Sequence, residues 1–183
     1  MPEPGQDSSI LTHKSPRLPL DRITGGIGIT DTNHSQVHAG HAYHHSQRLN
    51  ISNGASLVHT LDIPVGVYVH FQNFEVVLGQ QYTVTMTEGD TPTTGTEDVP
   101  VQRNRNKTMA SDVVLHNAPV TANTQVLVDV EVPGNQTKTI GIKSTGIEWV
   151  LAPGKSYTFT VTNQAGSAAV GYLAIDWYEE GAG

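Results

Sequence analysis

Four histidines fall within the ten-residue stretch VHAGHAYHHS, at His38, His41, His44 and His45, and imidazole binds metal and exchanges protons near neutral pH. A metal requires their nitrogens to converge. In an extended chain His41 and His45 face one way and His38 and His44 the other, while Gly40 disfavours the helix that would gather His38, His41 and His45. No His-X-His pair occurs anywhere in the chain. We therefore expect no metal site. His38, His41 and His45 are the candidates that would have to meet a carboxylate to make one. Otherwise they are turn and strand-edge histidines that hydrogen-bond or sit at a subunit interface.

Other chemistry is equally thin. Gly25-Gly26-Ile27-Gly28 lacks both the GxGxxG spacing and the Gly-Lys-Ser/Thr ending of phosphate loops, so it reads as a hinge. Asp90, Glu97, Asp98, Asp112, Asp129 and Glu131 are scattered among turns and wet strand faces, and no GxSxG is present. Nothing here calls for an enzyme or a cofactor. Arg103-Asn104-Arg105-Asn106-Lys107 is more suggestive: in an extended segment the two guanidinium groups share one side and could grip carboxylates on a partner. The plainer reading is a solvated loop whose Asn side chains close turns. Trp149, Tyr172, Trp177 and Tyr178 could stack on sugars or bases, although strand aromatics more often serve a core or an interface.

The elements that must position these groups are strands. Tyr157, Phe159 and Val161 alternate with Thr158, Thr160 and Thr162, giving one buried and one wet face, and Ala152-Pro153-Gly154-Lys155 supplies a hairpin turn before them. Val170 to Tyr178 is apolar on both faces, as in a central strand. Earlier strands are expected at 56–63, 65–71, 74–78, 82–88, 113–117, 125–132, 138–143 and 148–151, with Val126, Val128, Val130 and Val132 on one side. Residues 89–97 read as a Thr/Gly/Pro loop, and no helix is evident. The expectation is an all-β, antiparallel β-sandwich, jelly-roll-like, over residues 36–183, with an extended N-terminal arm over residues 1–35. That arm carries Pro2, Pro4, Pro16 and Pro19 without any sustained period, and should gain order only against a partner.

Composition narrows the class further. The chain has no cysteine, so neither disulfides nor thiolate metal sites hold it together. A net charge of −7 argues against gripping a nucleic-acid backbone. No run reaches the roughly 18 apolar residues of a membrane span, and MPEPGQDSSI lacks the features of a secretory signal, so synthesis in a cytoplasm is expected.

Residues 37–179 resemble a family of tailed-phage virion proteins, the capsid decoration or cement proteins. The resemblance is carried by Val37-His38-Ala39-Gly40, the Arg103 to Asn106 loop, the Leu151 to Asn163 strand and the closing Trp177-Tyr178-Glu179. It implies a sandwich without catalytic residues, located on the outer surface of a virion head, where it binds the major capsid protein and stabilises the shell. It also implies an oligomer, a homotrimer, on a capsid symmetry axis. On that reading the arm is the main anchor, through Ile10, Leu11, Arg17, Leu18, Leu20, Arg22 and Ile23, with Arg103 and Arg105 as secondary contacts. Two other readings are a carbohydrate-binding or adhesin module of a head or tail fibre, and a jelly-roll enzyme with a His-bound metal.

Overall fold

Period-2 alternation becomes strand pairing wherever one face of the pattern can be buried. The computed structural model describes residues 32–90, 94–120, 125–133 and 149–181. Within them α1 (Thr32–Ala39) precedes β1 (Ala42–Ile51), β2 (Ser56–Asp62), β3 (Val67–Leu78), β4 (Tyr82–Gly89), β5 (Thr94–Asp98) and β6 (Val101–Gln102). They are followed by β7 (Val114–Val120), β8 (Gln125–Val132), β9 (Trp149–Leu151), β10 (Ser156–Asn163) and β11 (Ala169–Gly181). The strands build a five-stranded sheet, β6-β1-β11-β3-β9, and a six-stranded sheet, β5-β7-β2-β10-β4-β8. Every pairing in both is antiparallel, so the fold is the expected all-β sandwich. Residues 1–31, which hold Ile10, Leu11, Arg17, Leu18, Leu20, Arg22 and Ile23, lie outside the described residues, as does the strand expected at 138–143.

The two inner faces meet in one apolar core. Phe159 of β10 stacks against Phe71 and Phe74 of β3 at centroid distances of 5.2 and 4.8 Å, joining one sheet to the other. Leu173, Ile175 and Trp177 of β11 are fully buried beside them. As expected, β11 is central, paired with β1 on one side and β3 on the other. At Gly171 it comes so close to β3 that a Cβ would sit 1.8 Å from the Val77 carbonyl oxygen. No side chain fits there.

Bulges explain where alternation misleads. The strands expected at 65–71 and 74–78 are one strand, β3. Asn73 pairs with Asp176 and Phe71 with Trp177, leaving Gln72 as an extra residue, so Phe71 and Phe74 both turn inward. In β8, Val128 pairs with Met86 and Val126 with Thr87, which makes Leu127 the extra residue. Val126 is consequently exposed instead of sharing the side of Val128, Val130 and Val132.

Four further expectations are corrected. The turn at residues 152–155 does not close a hairpin, because β9 and β10 belong to different sheets. It carries the chain across the sandwich, tied to residue 63 by Gly154 N–H donating to Ile63 C=O (2.9 Å) and Ile63 N–H donating to Lys155 C=O (3.0 Å). Thr158 is not wet: it pairs with Thr60, both are buried, and their hydroxyls lie 2.8 Å apart. The 89–97 loop contains the start of β5, which pairs with β7. A helix, α1, occupies residues 32–39, ending where Gly40 takes φ +91° and its N–H reaches back to Gln36 C=O (3.1 Å). Among the described residues no helix is long and apolar enough to cross a membrane.

Two substitutions test this core. Phe159→Ala should cost about 3–5 kcal/mol through the cavity it leaves. Gly171→Ala should cost more than about 3 kcal/mol, because backbone, not a side-chain tip, has to yield. Urea unfolding followed by Trp fluorescence reads both; a Gly171→Ala protein as stable as wild type would contradict the close approach.

Candidate functional site

The basic segment is a presented turn, not an extended ribbon. β6 pairs with β1, and Arg103 N–H continues the ladder to Ala42 C=O (2.9 Å) before the chain departs. Gln102 turns inward, where its Nε2 donates to Gly40 C=O (2.7 Å). Asn104 then fixes the turn from three sides. Its Nδ2 donates to His38 C=O (3.1 Å) at the end of α1, its Oδ1 accepts from Asn106 N–H (3.0 Å), and its carbonyl accepts from Lys107 N–H (3.0 Å).

The far end of the segment is held by one buried carboxylate. Glu179, 6% exposed, accepts from Ser111 Oγ (2.5 Å), Asp112 N–H (2.9 Å) and the Trp177 indole N–H (2.9 Å). Beside it Tyr43 donates its hydroxyl to Ala110 C=O (2.8 Å). Burial, followed by the charges of Glu179 and Asp112, pushes the Tyr43 phenol up to about 12. Between these anchors Arg103, Arg105, Lys107 and Met109 are exposed, as are Val99 and Val101 just before them.

The structure alters the expected role of the arginines. Arg105 lies in the turn, and Arg103 leans towards Asp176 (Nη1 to Oδ1, 4.0 Å), so they are not two parallel forks on a strand. Asp176 also holds His44 Nδ1 (2.9 Å) and accepts from Asn73 Nδ2 (3.3 Å). The Arg103 pair is long and 42% exposed on the Arg side, which leaves its guanidinium accessible to another carboxylate.

The clustered histidines are dispersed by the fold. His38 sits on α1, His41 lies between helix and strand, and His44 faces outward on β1. Among the described residues His38, His41 and His45 form no convergent group, whereas His45, His59 and Asp98 do, with potential ligand atoms all within 4.8 Å of one another. Register explains the new set. His45 pairs with the buried Ile175, His59 with the buried Phe159 and Asp98 with the buried Leu115, so all three face the space between the sheets.

His45 Nε2 lies 4.0 Å from Asp98 Oδ2, and the two imidazoles meet edge to face at 5.2 Å. His59 Nε2 is 2.7 Å from Gln47 Oε1, which can only accept, so that nitrogen carries the proton. Burial, then the neighbouring His45, pushes His59 down to about 4, against opposing effects of Asp98 and the His116 main chain. Burial lowers His45 as well, with Asp98 opposing and His44 adding to the shift. Both rings are therefore neutral at pH 7. His45 Nε2 is buried without a hydrogen-bond partner, and His59 Nδ1 has none of normal geometry, although the His116 main chain lies close enough to His59 to act on it as a hydrogen-bonding neighbour that opposes the effect of burial. A second pair, His116 Nε2 with Asp62 Oδ2 at 3.0 Å, sits on the opposite face of the same sheet.

The aromatic platform is not assembled. Trp177 and Tyr178 are buried, and Tyr178 stacks on His70 at 4.4 Å. Trp149 and Tyr172 are partly exposed on opposite faces of the five-stranded sheet, since Trp149 pairs with inward Phe71 and Tyr172 with outward Val77. No family model, curated protein or solved structure shows significant similarity to this chain.

Glu179→Ala tests the buried clamp. It strands three donors, so stability should fall by about 3 kcal/mol or more, and trypsin should cut after Arg103, Arg105 or Lys107 faster than in wild type. Limited proteolysis with mass spectrometry, under conditions where both proteins remain folded, reads this; unchanged cleavage would mean that the segment is held by something else.

Proposed function

We propose that this chain is a structural protein of a virion, a capsid decoration protein that binds the outer surface of the head shell and stabilises it. The observation that carries the reading is the segment 99–109, pinned at Gln102, Asn104 and Glu179 yet displaying Val99, Val101, Arg103, Arg105 and Met109 to solvent. Arginine and methionine are enriched where proteins bind one another, and this segment presents both. A pre-ordered segment also loses less entropy when it docks. The partner is the major capsid protein, met through carboxylates that complement the arginines.

On this reading the anchor is the N-terminal arm, expected over residues 1–35 and here cut back to residues 1–31 because α1 begins at Thr32, lying across neighbouring shell subunits. Three copies on a symmetry axis would multiply weak contacts through effective concentration. A protein that binds only the assembled shell stabilises it by mass action. No catalytic step is required.

Cosedimentation with empty shells tests both contacts. Deleting residues 1–31, which stops short of α1, should abolish pelleting with shells. Arg103→Glu with Arg105→Glu should weaken it by about 10-fold or more. If both variants bind undiminished, neither surface is the anchor.

A further inference from the structure

We infer that His45, His59 and Asp98 form a binding site for a divalent transition-metal ion of the zinc type, which staples the two sheets together. His45 comes from β1 in the five-stranded sheet, whereas His59 on β2 and Asp98 on β5 come from the other. All three face the interior by register, at the side of the sandwich where the edge strands β6 and β5 lie. The inference does not depend on the capsid reading.

The donor set selects the ion. Two imidazole nitrogens and one carboxylate suit zinc, cobalt or iron(II), and suit calcium or magnesium poorly, since those ions prefer oxygen throughout. Spacing agrees with this. Ligand atoms about 2.0–2.2 Å from a tetrahedral ion lie about 3.3–3.6 Å from one another, and His45 Nε2 stands 4.0 Å from Asp98 Oδ2. That separation is too long for a hydrogen bond and close to that of two atoms sharing an ion. All three ligand atoms lie within 4.8 Å of one another, so the set must contract around an ion, and Asp98, whose side chain is 29% exposed at the end of a five-residue edge strand, has room to swing inward.

Burial makes the site more than a chance meeting. His59 is fully buried, and the buried His45 Nε2 has no hydrogen-bond partner, a vacant lone pair or an unanswered N–H that an interior normally excludes. A cation bridging the three groups removes that cost. Gln47, bonded to His59 from the same inward row of β1 as His45, serves as the outer partner that holds the ring in place. In a chain with no cysteine, such an ion would be the one cross-link of near-covalent strength between β1 and the β2/β5 side.

The test uses the full chain, stripped with EDTA and given Zn²⁺ alone in equilibrium dialysis. One ion should bind per chain and raise Tm by about 5–10 °C when Zn²⁺ stands about 100-fold above its Kd. Asp98→Asn and His45→Gln should each weaken uptake by about 100-fold or more, beyond the loss expected for an outer partner. His44→Gln, which alters an outward ring bonded to Asp176, should leave uptake unchanged. Co²⁺ provides a reading that needs no variant: it should broaden the imidazole NMR signals of His45 and His59 before those of the other histidines. Failure to take up either ion, uptake that survives both ligand variants, or broadening confined to other histidines overturns the inference.

Discussion

The approach of β11 to β3 at Gly171 is the constraint on which the other features depend. With no side chain between them, the two strands settle into a register that a single methyl group would forbid. That register places Leu173, Ile175 and Trp177 in the core and sends Glu179 inward behind them. Glu179 then captures Ser111, Asp112 and the Trp177 indole, so the geometry of the exposed basic segment is inherited from the centre of the sheet. On its other side β11 fixes β1, and with it the inward direction of His45 and Gln47.

Alternating apolar residues made much of this legible. The rows at Tyr82, Val84 and Met86 and at Tyr157, Phe159 and Val161 are buried, as alternation requires, and the structure adds that their strands pair. Val170 to Tyr178, apolar on both faces, is the central strand it resembles. What escaped was whatever alternation does not encode. Gln72 and Leu127 each insert one residue and reverse the faces that follow, which no count of apolar positions reveals. α1 has a single large aliphatic residue, Val37, so it carries no apolar stripe to announce it. The Ala152 to Lys155 turn has hairpin chemistry, but turn residues specify a local bend and not which sheet receives the next strand.

The site residues show the same division. Arg103 and Arg105 were conspicuous by type, and the structure adds the turn that displays them. Proximity along the chain draws attention to His38, His41 and His45, yet among the described residues only His45 joins a convergent group. Its partners His59 and Asp98 are distant in sequence and meet it only because inward register is shared across two sheets. Local spacing on one strand could not identify them. The surviving signal was parity: His59 stands two residues before Leu61, which places it on the buried face of its strand.

The rims of the sandwich bear on how copies of such a protein can meet. Among the described residues β6 covers β1 only at Tyr43 and His44 and β9 covers β3 only at Val69 to Phe71, so the outer edges of both longer strands continue beyond these short partners. On the other sheet the longer border strand β8 is bent by its bulge and points Asp129 and Glu131 at solvent, which repels a like strand laid alongside. At the β8 border, ribbon-to-ribbon annealing into fibrils is thereby discouraged.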